Sequence, residues 1–226
     1  MPAPAKPDPC GPFVVIIGNQ SSGSSAIAGM AYHLGLYMGT RLGGRYGGNP
    51  DKKCGFEDKT IMRLVFRNCK YVRGIVGDED RIFTALADRI DQLQKEARAK
   101  SIAIAGVKLP RLVAFGDMFH EILGDGLHVI CCDRPLEDSI KSLHRLRPKL
   151  KESRVREIQG WFQENKEHFL SLVHPSQVLH VAYYDVLNDP LTEAGRINRF
   201  LPGIANHVQI EKAVKYIRPK LRHFGE

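Results

Sequence analysis

The chain of 226 residues has no apolar run approaching the roughly 20 residues that a membrane-spanning helix requires, which argues against a membrane partner. Its opening stretch, MPAPAKPDPCGP, carries prolines where a secretory leader would carry a hydrophobic centre, so residues 1–12 are expected to form a flexible tail and the protein to be cytoplasmic. Cysteine is sparse: there are five, an odd number, with no CxxC spacing. A zinc site is therefore not indicated, and buried free thiols are expected, two of them at the adjoining Cys131 and Cys132 inside an apolar run. No internal repeat is visible. Positive charge, by contrast, is in excess: 33 Lys+Arg against 25 Asp+Glu leave +8. That balance suits a polyanionic ligand such as a nucleotide, a sulfated sugar or nucleic acid, and equally suits a plain solvated basic surface. Length and a 43% hydrophobic content are enough for one well-buried domain over residues 13–226.

Strand candidates are Phe13–Ile17, Ile102–Val107, Leu127–Cys132 and Val178–Tyr183. All four are apolar runs without polar alternation, as expected of strands covered on both faces. Between them lie helical stretches at Ser24–Leu36, Glu57–Asn68, Asp80–Ala99, Leu136–Leu146, Glu152–Val173 and Leu191–Leu201. This alternation predicts an α/β, three-layer fold of the P-loop type, with a central parallel sheet flanked by helices. In the stretch Asp80–Ala99 the apolar residues Ile82, Leu86, Ile90 and Leu93 form one stripe, the mark of a packing helix. The glycine-rich piece Thr40–Pro50 is expected to be a loop near the site.

Chemistry concentrates first at VVIIGNQSSGSSAIAG, Val14 to Gly29. The segment GNQSSGSS is one residue away from the GxxxxGK[ST] phosphate loop, with Ser24 standing where that pattern requires lysine. Backbone N–H groups at the start of a helix bind phosphate without a lysine. Gly18 and Gly23 permit close backbone approach, and Ser21, Ser22, Ser24 and Ser25 add hydroxyl donors. The run HVICCD, ending in Asp133, imitates the acidic strand of nucleotide hydrolases, a pattern common to many α/β proteins.

The stretch GNQSSGSSAIAGMAYHLGLYMG resembles the 5′-phosphosulfate segment of the sulfotransferases: a strand, a G-x-x-[RK]-S-G-[ST]-[ST] loop and a helix ending in LG-x-x-x-G. Further segments resemble the same family in the same order. NPDKKCGFEDKTIMRL matches the stretch where an acid follows a G-[FY] step, and GVKLPRL matches the K-x-PR element. VICCDRPLEDSIKSL matches the 3′-phosphate motif, with Arg134 after a strand and Ser142 eight residues on. VLHVAYYDVLNDPLTEAGRINRFL matches the closing strand, Y-[ED]-x-L, DP and helix. The resemblance implies a sulfotransferase of the compact bacterial or viral type, taking its sulfuryl group from 3′-phosphoadenosine 5′-phosphosulfate (PAPS), releasing the bisphosphate PAP and using no metal. It further implies a small-molecule or glycan acceptor in place of nucleic acid or a membrane. The oligomeric state is unspecified.

Sulfuryl transfer needs a cation for developing charge and a base for the acceptor proton. The resemblance gives the first role to Lys108, with Arg111 beside it for sulfate or for pairing with an acid. Glu57 is the candidate base, with Asp58 competing for it. Arg134 and Ser142 would hold the 3′-phosphate, leaving Ser139 an exposed helix residue and His33 a packing or surface residue. The chain departs from the family at Ser21, where the loop normally carries Arg or Lys; either Lys108, Arg41 or Arg45 supplies the charge, or the enzyme is slow, or it binds nucleotide without transferring. Two rivals stay open on sequence: a P-loop kinase or NTPase that lost its lysine, and a catalytically silent nucleotide-binding protein. Acceptor-pocket walls are expected from Thr40–Pro50 and Arg145–Arg156.

Overall fold

A computed structural model describes residues 11–43, 55–201 and 205–217. Four parallel strands form the central sheet: β1 (Phe13–Gly18), β6 (Ala105–Lys108), β7 (Leu127–Asp133) and β8 (Val178–Ala182), in the order β6-β1-β7-β8. All four lie where the apolar runs predicted them. The second run begins its pairing only at Ala105, because Tyr37 takes up the backbone beside it: Tyr37 N–H donates to the Ile104 carbonyl, and Gly106 N–H donates to that of Tyr37.

The sheet is apolar on both faces, and β1 shows why alternation is missing from its sequence. Phe13, Val15 and Ile17 enter one core, while Val14 and Ile16 enter the other. The first core is closed by α2 (Lys59–Asn68), α3 (Glu79–Arg98), α4 (Gly116–Leu123), α5 (Leu136–Leu146) and α6 (Glu152–Ser171). The second is closed by α1 (Ser24–His33), α7 (Tyr183–Asn188), α8 (Pro190–Phe200) and α9 (His207–Tyr216). Two helical layers around one parallel sheet give the expected α/β architecture. Two short antiparallel pairs complete it: β2 (Leu42–Gly43) with β3 (Glu57–Asp58), and β4 (Cys69–Lys70) with β5 (Gly74–Ile75).

Helix boundaries follow local chemistry. Helix α1 stops at His33, short of the expected Leu36, because Gly35 takes a left-handed turn at φ 108° and Leu36 N–H bonds back to the Ala31 carbonyl. Helix α2 starts at Lys59 and not at Glu57. Asp58 is the better cap, its Oδ1 accepting from the N–H groups of Thr60 and Ile61 at 3.0 and 2.9 Å. The predicted stripe on α3 is buried as expected. Helices α4, α7 and α9 were not anticipated from the sequence. Gly29 in α1 lies so close to α9 that a Cβ there would run into the Tyr216 ring, and this locks α9 against α1.

Candidate functional site

The loop after β1 emerges between the carboxyl ends of β6 and β7, the sheet edge where open α/β folds bind ligands. Register fixes its neighbours. Ile16 pairs with Lys108 on one side, and Gly18 pairs with Cys132 on the other. The last residue of β6 and the first residues beyond β7 therefore flank the same loop.

The loop is tightly built. Gly18 and Gly23 both have positive φ, and a Cβ on Gly23 would run into the Tyr183 ring, so glycine is required there by space as well as by backbone. Ser21 also sits in the left-handed region, at φ 65°. Gln20 is clamped from two sides: its carbonyl accepts from Gln159 Nε2 at 2.8 Å, and its Oε1 accepts from the Tyr71 hydroxyl at 2.5 Å. Helix α1 then starts with no side-chain cap and no acid in its first turn, leaving the positive end of its dipole uncompensated.

Two cations reach this loop from the flanking strands. Lys108, 3% exposed, donates from Nζ to Ser25 Oγ at 2.9 Å, to the Gly55 carbonyl at 3.1 Å and to Glu57 Oε1 at 3.2 Å. Arg134 donates from Nη1 to the Ser21 carbonyl at 3.0 Å, and its guanidinium lies 4.8 Å from the centre of the Tyr183 ring. Among the described residues, several buried polar atoms here have no hydrogen-bond partner: Ser22 Oγ, Ser142 Oγ, Ser139 Oγ and the Nε of Arg134. Donors left empty in this way around an uncapped helix start fit an anionic ligand.

Glu57, Lys108 and Ser25 are thus brought together, and Arg134 joins them through the backbone of Ser21. Ser24 is buried at the start of α1, and Ser142 is buried on α5. Ser139 is a correction to the sequence reading. Expected to be exposed, it is fully buried, because α5 turns that face toward α6 and the Ser139 carbonyl accepts from Gln159 Nε2 at 3.1 Å. Asp58, the rival base, is buried in an ion pair with Arg89 at 2.7 Å while capping α2, so it is structural. Burial works against the Arg89 charge, yet hydrogen bonds and attraction from Asp58 and Glu96 hold its pKa above the ordinary value. Asp133 is likewise engaged, with His180 at 2.7 Å and Lys166 at 3.8 Å. His33 packs its ring 5.1 Å from that of Tyr216. Arg41 is exposed; Arg45 and most of the glycine-rich loop, residues 44–50, lie outside the described residues.

Cys69, Cys131 and Cys132 are free and buried. Burial pushes Cys69 up to about 11 and Cys132 up to about 12, and raises Cys131 as well.

Two residues around the site differ in how far the sequence points to them. Arg111 was named; Gln159, which fastens the loop from α6, was not, since a mid-helix glutamine carries no motif. The structure also opens a cavity of about 570 Å³ beside the loop, with Gln20 and Glu57 in its wall.

No protein-family model matches the chain, and no curated protein does. Solved structures do. The sulfotransferase domain of the Synechococcus PCC 7002 olefin synthase superposes with a TM-score of 0.61 at 21% identity, over 98% of this chain and 83% of that one. The sulfotransferase domain from the curacin biosynthetic pathway gives 0.53 at 15% identity, over 88% and 76%. A sulfotransferase of Mycobacterium tuberculosis gives 0.54 at 13% identity, over 91% and 71%. Likeness of this degree establishes architecture, and the architecture of this chain is the sulfotransferase fold.

Proposed function

We propose that the protein is a sulfotransferase that moves a sulfuryl group from PAPS to a hydroxyl or amine of a small-molecule or glycan acceptor, in the cytoplasm. The observation that carries this is the cluster of Lys108, Ser25 and Glu57 at the mouth of the phosphate-type loop, where cation, hydroxyl and carboxylate meet within hydrogen-bond distance. When bound, the donor supplies an activated sulfuryl group. The residues that would hold it are Gly18 and Ser21–Ser25 at the 5′ end, and Arg134 and Ser142 at the 3′-phosphate. The unpartnered Ser22 Oγ, Ser142 Oγ and Arg134 Nε are the donors that such an anion would satisfy.

Each side chain then has a chemical task. Lys108 stabilises negative charge developing beside Ser25, in a buried setting where a fixed donor is worth more than in water. It also orients the Glu57 carboxylate through Oε1, leaving the second oxygen to take the acceptor proton. Lys108 approaches the loop from β6 and supplies the cation that the serine at position 21 does not.

The test is thermal stabilisation. PAP should raise Tm through linkage, and adenosine 5′-phosphate should raise it less. Arg134→Ala should erase most of that difference, about 2 kcal/mol of charge-assisted contact. Equal shifts from both nucleotides would refute the 3′-phosphate assignment, and a response only to ATP or GTP with magnesium would establish the NTPase rival.

A further inference from the structure

The cavity beside the loop holds a second feature that donor binding does not use. Glu57 stands in one wall, and two guanidiniums, Arg111 and Arg147, stand in the same enclosure. Arg111 is held rigidly. Its guanidinium lies 3.8 Å from the centre of the Tyr71 ring and 4.7 Å from that of Phe66, and Nη1 donates to the Cys69 carbonyl at 3.2 Å. Its buried Nε has no hydrogen-bond partner among the described residues. Arg147, just past the end of α5, lies 5.7 Å from the same Tyr71 ring.

Charge decides what this arrangement can take. Among the described residues, neither arginine pairs with a carboxylate, and the carboxylate of Glu57 is already matched by Lys108. Two cations therefore line one cavity, neither of them paired with a carboxylate among the described residues. Gln20 and Tyr71 add polar atoms to the wall, Met62, Phe66, Leu143 and Leu146 give it an apolar stretch, and a volume of about 570 Å³ suits a ligand of moderate size.

We infer that this cavity is the acceptor pocket and that it selects an anionic amphiphile: an apolar body along Met62, Phe66 and Leu146, and a carboxylate or phosphate head on Arg111 and Arg147. The hydroxyl to be sulfated is presented to Glu57. The inference rests on the sulfotransferase reading for the word acceptor, and on the cavity alone for the binding preference.

The single tryptophan makes the preference measurable without turnover, since Trp161 packs edge-on against Tyr71 with ring centres 6.2 Å apart. The full chain is titrated with decanoate, decyl phosphate and decanol while Trp161 fluorescence is followed. At least one of the two anions should bind about tenfold or more tighter than decanol, and whichever is tighter identifies the head group. Arg147→Gln should bring that anion to within about threefold of decanol, and Arg147→Lys should recover part of the difference. With donor present, 10-hydroxydecanoate should be turned over at a KM well below that of its methyl ester. Equal binding of decanol and both anions overturns the inference even if the variants fail to fold, as does an Arg147→Gln protein that weakens PAP as much as the anion. Loss of anion preference in a protein that still responds to PAP leaves the sulfotransferase reading standing. Anion preference in a protein that ignores PAP and sulfates nothing overturns that reading and leaves the binding site.

Discussion

Lys108 and Glu57 form a nearly buried ion pair at 3.2 Å, and the same ammonium donates to Ser25 at the start of α1. The pair thus ties the strand edge of β6 to the proposed donor loop and to the proposed base at once. Removing either partner should separate chemistry from binding. Glu57→Gln keeps the shape and a hydrogen-bond acceptor for Lys108, so PAP should still stabilise the protein while turnover falls about 100-fold or more. Lys108→Ala should depress turnover by a similar factor. Steady-state rates alongside Tm shifts check both, and a Glu57→Gln protein of normal rate would remove Glu57 from the base role.

Adjacent residues have opposite duties here. Asp58, one position after Glu57, is 3% exposed, caps α2 and pairs with Arg89. Asp58→Asn should leave Arg89 as a buried charge without its main partner and lower stability by about 3–5 kcal/mol. Denaturant unfolding measures this. A loss below about 1 kcal/mol would mean that Glu96, also bound to Arg89 at 3.0 Å, carries the pair by itself.

At position 21 the structure supports a specific outcome for Ser21→Arg. With Lys108 and Arg134 already on the loop, the new guanidinium adds charge where charge is present. Turnover should stay flat or fall. A clear rise would show that the loop lacks a cation.

Alkaline stability follows from the thiols. Cys69 and Cys132 are raised from 9.0 to about 11 and about 12, and Tyr37 from 10.0 to about 12, by burial first and then by its hydrogen bond to Glu96. These groups stay protonated in the folded chain while the unfolded chain ionises, so their contribution is complete below pH 9 and is lost as pH rises. Tm should decline from about pH 9 upward, each group adding about 1.4 kcal/mol per pH unit until its folded value is reached. Cys132→Ala should flatten that decline, and an equally steep profile would count against the burial argument.

The sheet was legible because each strand is an unbroken apolar run, and the proposed donor loop was legible because its glycines and serines sit between a strand and a helix. What escaped was set by contacts far apart in the chain. Ser139 reads as an exposed helix residue until α6 packs on it, and Gln159 carries no signal until the carbonyl of Gln20 is placed beside it. The division of labour between Glu57 and Asp58 was invisible for the same reason: Arg89, which claims Asp58, is 31 positions away. Helix α7 was hidden by its sequence, since Tyr183 and Tyr184 extend the apolar run of β8 and only the backbone turn after Ala182 ends the strand.

The contact of Gly29 with Tyr216 has a kinetic consequence. Helix α1 begins at the loop proposed to bind the donor, yet its back is clasped by a helix nearly the whole chain away. A ribosome must make everything between them before that clasp can form. Contacts of such long sequence separation are slow to close. The phosphate-type loop should therefore be among the last parts of the molecule to acquire protection from hydrogen exchange during refolding, although it lies near the beginning of the sequence.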